Sequence, residues 1–156
     1  MKYSRLTKEQ LEELHPEFIN FLASQSIDKT EWDEIKEKRP HVAEQEIDVF
    51  SDLIWEGVLN RAEFLENFSK HFIFLFRCGD SHLHSIIVQS AREDIDLTTA
   101  EGMRWLADNI LTDDVEIITG KKEFIDRNSD IFELIQQGAE LSKGDLYKNI
   151  DALIRG

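Results

Sequence analysis

Cys78, Asp80, His82 and His84 fall within one seven-residue stretch, Cys78-Gly79-Asp80-Ser81-His82-Leu83-His84, and form the most suggestive local cluster of metal-ligating side chains in the sequence. Residues two apart on a strand share a face. His82 and His84 are therefore expected to point the same way, and a three-residue turn sets Cys78 opposite His82. A thiolate and two imidazoles are ligands zinc accepts, with Asp80 or a water in the fourth position. Against a metal centre, His71 precedes Cys78 by a strand length of over ~20 Å, and no His or Cys follows His84. The looseness of a His-x-His signal favours the plainer reading, a hairpin tip with ordinary turn residues and two half-exposed imidazoles. The sequence demands no cofactor, and zinc is the metal this cluster suggests.

Other catalytic patterns are incomplete. Gly79-Asp80-Ser81 resembles the nucleophile motif of hydrolases named for a Gly-Asp-Ser-Leu start, but those enzymes place their catalytic Asp and His near the C-terminus, where this chain has no histidine. A two-iron carboxylate bundle needs two Glu-x-x-His pairs; only Glu12 and His15 fit, beside Pro16. Gly120-Lys121-Lys122 lacks the upstream glycine and the Ser/Thr of a phosphate loop. No catalytic residue is assigned.

A third feature points to binding. Glu44, Asp48, Asp52 and Glu56 stand four residues apart with no Lys or Arg among them. Like charges at that spacing repel on a helix, at about 0.2–0.5 kcal/mol per pair. On a helical wheel Trp55 and Leu59 fall inside this acidic face, away from the Ile47/Phe50/Ile54/Val58 stripe. An apolar pair ringed by carboxylates would anchor a basic amphipathic protein or peptide. The competing reading is that Trp55 and Leu59 belong to the core while the acids hang at its rim.

The elements that must position these residues change character midway. The first half reads as helix. Thr7 with Gln10 is a capping box, Pro16 breaks the following stripe near His15, and Asp28 with Glu31 starts a short helix that ends before Pro40. His41 to about Arg61 is the strongest helix, and Phe64, Leu65 and Phe68 extend the apolar pattern by a turn or two. From His71 the period shortens. Phe72–Phe76 and Leu83–Val88 flank Gly79-Asp80 as a β-hairpin, Ile95–Leu97 suggests a short strand, Thr98 with Glu101 caps a helix, and Val115–Thr119 is β-rich up to Gly120. Closing helices are expected over Asp130–Gln137 and Gly144–Arg155, the second capped by Ser142 with Asp145. The fold class is α+β: a helical N-terminal half packed on a small mixed or antiparallel sheet built around a β-hairpin, with C-terminal helices.

Composition limits the partners. The 156 residues suit one domain, 1–156, and 41% are apolar, enough to fill a core. Thirty-two acidic against 18 basic residues leave a net charge of −14. Such a surface repels a phosphate backbone and attracts basic partners, so nucleic acid is excluded and a basic protein or peptide is the expected class. The single cysteine forms no internal bridge and the longest apolar run is far below the ~20 residues of a membrane span, which points to a reducing cytoplasm and no membrane. Oligomeric state is not legible.

The opening Met1-Lys2-Tyr3 with Leu6-Thr7-Lys8-Glu9, then Phe18–Ala23, Asp48–Leu59, Asp113–Glu116 and Lys143–Tyr147, resembles a family of short acidic bacterial proteins known as domain of unknown function 6495. The resemblance runs nearly end to end. It implies a bacterial, cytoplasmic setting and an intact single domain, and carries no activity, cofactor or site residue. A non-catalytic interaction or regulatory module is therefore the leading expectation, with a metal-site protein or metal-dependent hydrolase using the hairpin cluster as the alternative.

Overall fold

Capping chemistry sets the first helix starts. The Thr7 side chain accepts from the Gln10 amide while the Gln10 side chain accepts from Thr7 N–H, opening α1 (Lys8–Glu13). The chain then breaks at Leu14, one residue before the expected His15, and α2 (His15–Ser24) begins with Pro16 in its first turn, where a missing N–H costs nothing. Asp28 caps α3 (Lys29–Lys38) by accepting from Glu31 N–H at 2.8 Å. The 22-residue α4 spans Pro40–Arg61. A computed structural model describes residues 1–156 and divides into two compact units, Met1–Asn60 and Arg61–Gly156.

The first unit buries Leu6, Phe18, Leu22, Trp32, Ile35, Ala43 and Phe50 together. Phe18 is the hub: its ring meets Trp32 edge-on at 5.2 Å and Phe50 at 5.0 Å. Such pairs contribute about 0.5–1.5 kcal/mol each beyond area burial.

The second unit is a five-stranded antiparallel sheet in the order β4-β3-β2-β1-β5. Its strands are β1 (Phe64–Phe68), β2 (Phe72–Cys78), β3 (His82–Ser90), β4 (Val115–Glu123) and β5 (Glu140–Ser142), with helices α5 (Ala100–Asn109), α6 (Arg127–Gln136) and α7 (Asp145–Arg155). One sheet face carries Phe64, Ile73, Leu75, Ile86, Val88 and Val115, which form a core with Leu106 of α5 and Tyr147 and Ile150 of α7. No helix is long and apolar enough to cross a membrane.

Several elements differ from the sequence reading. Phe64–Phe68 is a strand and not a helical extension, because pairing on both sides with β2 and β5 outweighs a spacing that also suits a helix. Ile95–Leu97 is a loop: Leu97 is fully buried, but Asp96 folds the chain into a turn by accepting from Thr98 N–H at 2.9 Å and from the Thr98 hydroxyl. With Thr98 so engaged, Thr99 caps α5. β4 runs through Gly120, where a Cβ would sit 2.8 Å from Ser85 Oγ on the neighbouring strand, so this glycine serves close strand approach and not termination. α6 starts at Arg127, earlier than Asp130, capped by Asp126. Gly144, at φ 82°, is the N-cap of α7, and a Cβ there would fall 2.4 Å from the Phe64 ring. Ser142 ends β5, a strand absent from the sequence reading.

Candidate functional site

The hairpin β2–β3 decides the first candidate. Its register pairs Cys78 with Leu83 and Arg77 with His84, one residue away from the expected Cys78–His82 pairing. A one-residue slip moves a side chain to the other face. Cys78 consequently shares a face with Leu83, while His82 and His84 lie on the opposite one. Burial, opposed only weakly by Arg127, pushes the Cys78 thiol up to about 11. Asp80 is exposed at the turn, and no group of three or more His, Cys, Asp or Glu side chains is arranged to hold a metal ion. Ser81 Oγ and His82 Nδ1 do meet, at 2.7 Å, despite being sequence neighbours. Ser81 nevertheless lines neither of two clefts on this unit, the one beside His84 and Lys121 and the one beside Leu83 and Lys122.

The acidic ridge of α4 has an occupant. The leading segment Lys2–Leu6 lies along it in extended contact. Asp52 accepts from the backbone N–H groups of Lys2 and Tyr3 at 2.7 and 2.9 Å, and the Tyr3 hydroxyl donates to Glu56. Arg5 Nε donates to Asp48 at 2.6 Å, Lys2 Nζ stands 3.7 Å from Glu56, and Leu6 N–H donates to Ser51 Oγ at 3.1 Å. Leu6 itself enters the first unit's core. The hydrogen bond to Arg5 holds the Asp48 carboxyl below its ordinary range, and burial followed by Glu56 raises the Tyr3 hydroxyl. Glu44 stays exposed at the start of the row. Leu59 is 0% exposed, and Trp55 is half-buried against the first unit's core. The ridge thus presents carboxylates, not a protruding Trp55/Leu59 pair.

A third constellation escaped sequence reasoning. On the sheet face that carries His84, the pairings Arg77↔His84 and His84↔Lys121 line up three cationic or protonatable side chains across β2, β3 and β4. His84 and Lys121 border a cleft of about 640 Å³ between β3–β4 and α7, with Ile86, Ile117, Tyr147 and Ile154 on its apolar sides and Asp151 and Arg155 above, while Arg77 stands next in the row outside the lining. Arg155 donates to Asp151 at 2.8 Å. Neither Arg77 nor Lys121 has a carboxylate within 4.0 Å. Burial, then Arg77, Lys121, His82 and Arg155 in turn, hold His84 below its ordinary value.

The same face turns acidic on the adjoining strands β1 and β5. Glu66 on β1 faces Glu140 on β5, and burial, followed by Glu140 and Asp145, raises its carboxyl above the usual range.

No curated protein and no solved structure matches this chain. A family model described as a family of unknown function (DUF6495) matches residues 1–155, and the chain belongs to that family.

Proposed function

We propose that this protein is a non-catalytic interaction module whose acidic α4 face receives an extended basic segment of a partner protein or peptide. The observation that supports the reading is the chain's own Lys2–Leu6, which occupies that face through backbone and side-chain donors together. Its pattern describes the ligand: two backbone N–H groups for one carboxylate, an aromatic hydroxyl, an arginine and a leucine anchor. A net charge of −14 adds a long-range field that draws basic segments in. In the resting chain the internal segment competes for the face, and a tethered segment acts at an effective concentration of order mM. Regulation follows directly, since a partner must displace the segment or meet it already displaced.

A labelled peptide of residues Lys2–Thr7 tests this by fluorescence anisotropy against the intact protein and against a Tyr3→Ala/Arg5→Ala variant checked for unchanged circular dichroism. The variant should bind the peptide at least ~10-fold more tightly, because its own segment competes less. Binding should weaken in high salt and disappear when Asp48→Ala and Asp52→Ala are added. Equal or undetectable binding by both proteins would mean the ridge serves only to hold its own segment.

A further inference from the structure

We propose that the cleft between β3–β4 and α7 binds a small organic phosphate, its head group held by His84, Lys121 and Arg155 and its apolar body set against Ile86, Ile117, Tyr147 and Ile154. Three observations carry this independently of the acidic ridge.

The first is the row itself. Like charges placed directly opposite each other across neighbouring strands destabilise a sheet. Arg77 and Lys121 stand on either side of His84 in one row, so that a proton on His84 would create such opposed pairs, in a chain where acidic residues outnumber basic ones 32 to 18. Neither cation has a carboxylate within 4.0 Å: on β4 Glu123 sits opposite His82, one position out, and Asp151 is engaged by Arg155. Two cations left without a carboxylate in so acidic a chain mark a place where a binding function is to be sought.

The second is shape. A cleft of about 640 Å³ is the size of small-molecule sites generally, and its mixture of a few convergent polar groups with aliphatic and aromatic walls is their usual lining. A solvated strand end needs no such apolar floor.

The third is the match of charge to head group. Arg77 and Lys121 are permanent positive charges, Arg155 is partly neutralised by Asp151, and His84 can gain a proton. A carboxylate brings one negative charge and leaves the row still repelling. A phosphate monoester brings between one and two, with three acceptor oxygens, which two donors from two strands and one from the helix can share. Burial is the first cause of the depressed affinity of His84 for a proton, and the positive charges of Arg77, Lys121, His82 and Arg155 add to it.

Phenyl phosphate, inorganic phosphate and benzoate, each titrated into ¹⁵N-labelled intact protein, test the proposal. Phenyl phosphate should shift the amides around Arg77, His84, Lys121 and Tyr147 saturably, and bind at least ~10-fold more tightly than either of the others. Saturation should also raise the His84 pKa, since the added negative charge offsets Arg77 of β2, His82 of its own strand, Lys121 of β4 and Arg155 of α7, with Asp151 and Glu123 unchanged. Lys121→Gln should weaken binding without lowering the melting temperature, because Lys121 has no carboxylate partner to lose. Lys148→Gln, a cation set over the Phe64 ring at 5.0 Å and outside the cleft lining, should leave binding intact. The proposal fails if no saturable shift is seen at these amides, if inorganic phosphate binds as well as phenyl phosphate, if benzoate does so, or if Lys148→Gln weakens binding as much as Lys121→Gln.

Discussion

Asp52→Ala isolates the contact that fixes the leading segment. The Asp52 carboxylate accepts from two backbone donors, Lys2 N–H at 2.7 Å and Tyr3 N–H at 2.9 Å. A hydrogen bond to a charged group contributes about 1.5–3 kcal/mol where water is excluded. The Lys2 bond is exposed and is discounted to about 0.5 kcal/mol, in line with solvent-screened contacts. The Tyr3 bond is part-buried and keeps roughly 1.5 kcal/mol. The expected loss is thus about 2 kcal/mol. Asp52→Asn, which retains one acceptor oxygen of the two, should lose about half as much. Urea denaturation followed by far-ultraviolet circular dichroism measures the loss, and amide exchange at Tyr3 and Leu6 shows whether the segment has been released. A loss below about 0.5 kcal/mol, the ordinary level for surface substitutions, together with unchanged protection of the Tyr3 amide, would refute the claim that Asp52 anchors the segment.

Three further substitutions and one chemical probe follow from the geometry. Gly102→Ala would place a Cβ 1.8 Å from the Asp96 carbonyl oxygen, backbone that is already committed to a turn, and should cost about 3 kcal/mol by urea denaturation, the upper end for overpacking. Glu66→Gln should raise the urea midpoint at pH 7. Its folded carboxyl is raised by burial, Glu140 and Asp145, so wild type is at a disadvantage above the folded value, and the gain should vanish below about pH 4.3, where the unfolded chain is protonated too. Asp48 runs the other way: its carboxyl is lowered by Arg5, so the stability it contributes is present above about pH 3.9 and is lost as pH falls through its folded value, which Arg5→Gln should erase in an acid titration. The Cys78 thiol, buried and raised to about 11, should react with an aromatic disulfide at pH 7.5 about a hundredfold more slowly than a free thiol until the protein is unfolded.

What was legible in the sequence was local. The Thr7–Gln10 box, the Asp28 cap and the 22-residue α4 depend on residues within a turn of each other, and all three are found close to where the pattern puts them. The β2–β3 hairpin was legible as an element but not in register, because a shift of one residue leaves the composition of both strands unchanged. Phe64–Phe68 misled because apolar residues at Phe64, Leu65 and Phe68 satisfy a helical period, while the strand is decided by partners elsewhere in the chain. The acidic ridge was visible, but its occupant was not, since Arg5 and Asp48 meet only through tertiary folding. The signal available was a basic leading segment, Lys2 and Arg5, beside a helix face without a base of its own. The cationic row had no sequence signal, because α5 intervenes between the strands that bring His84 and Lys121 together.

The position of β5 sets the order in which the second unit can be completed. β1, β2 and β3 follow one another through short turns, so their ladders form at low entropic cost. β5 is only three residues long and pairs with β1, the strand most remote from it in the chain, after all the other elements except α7 have intervened. Closing so long a loop for so few ladder bonds is unfavourable alone. The β1–β5 edge therefore draws its persistence from what flanks it: Gly144 fitted against Phe64, and Tyr147 of α7 resting on the same ring at 5.6 Å. The last strand and the last helix form one docking unit, which meets the sheet edge at the Phe64 ring.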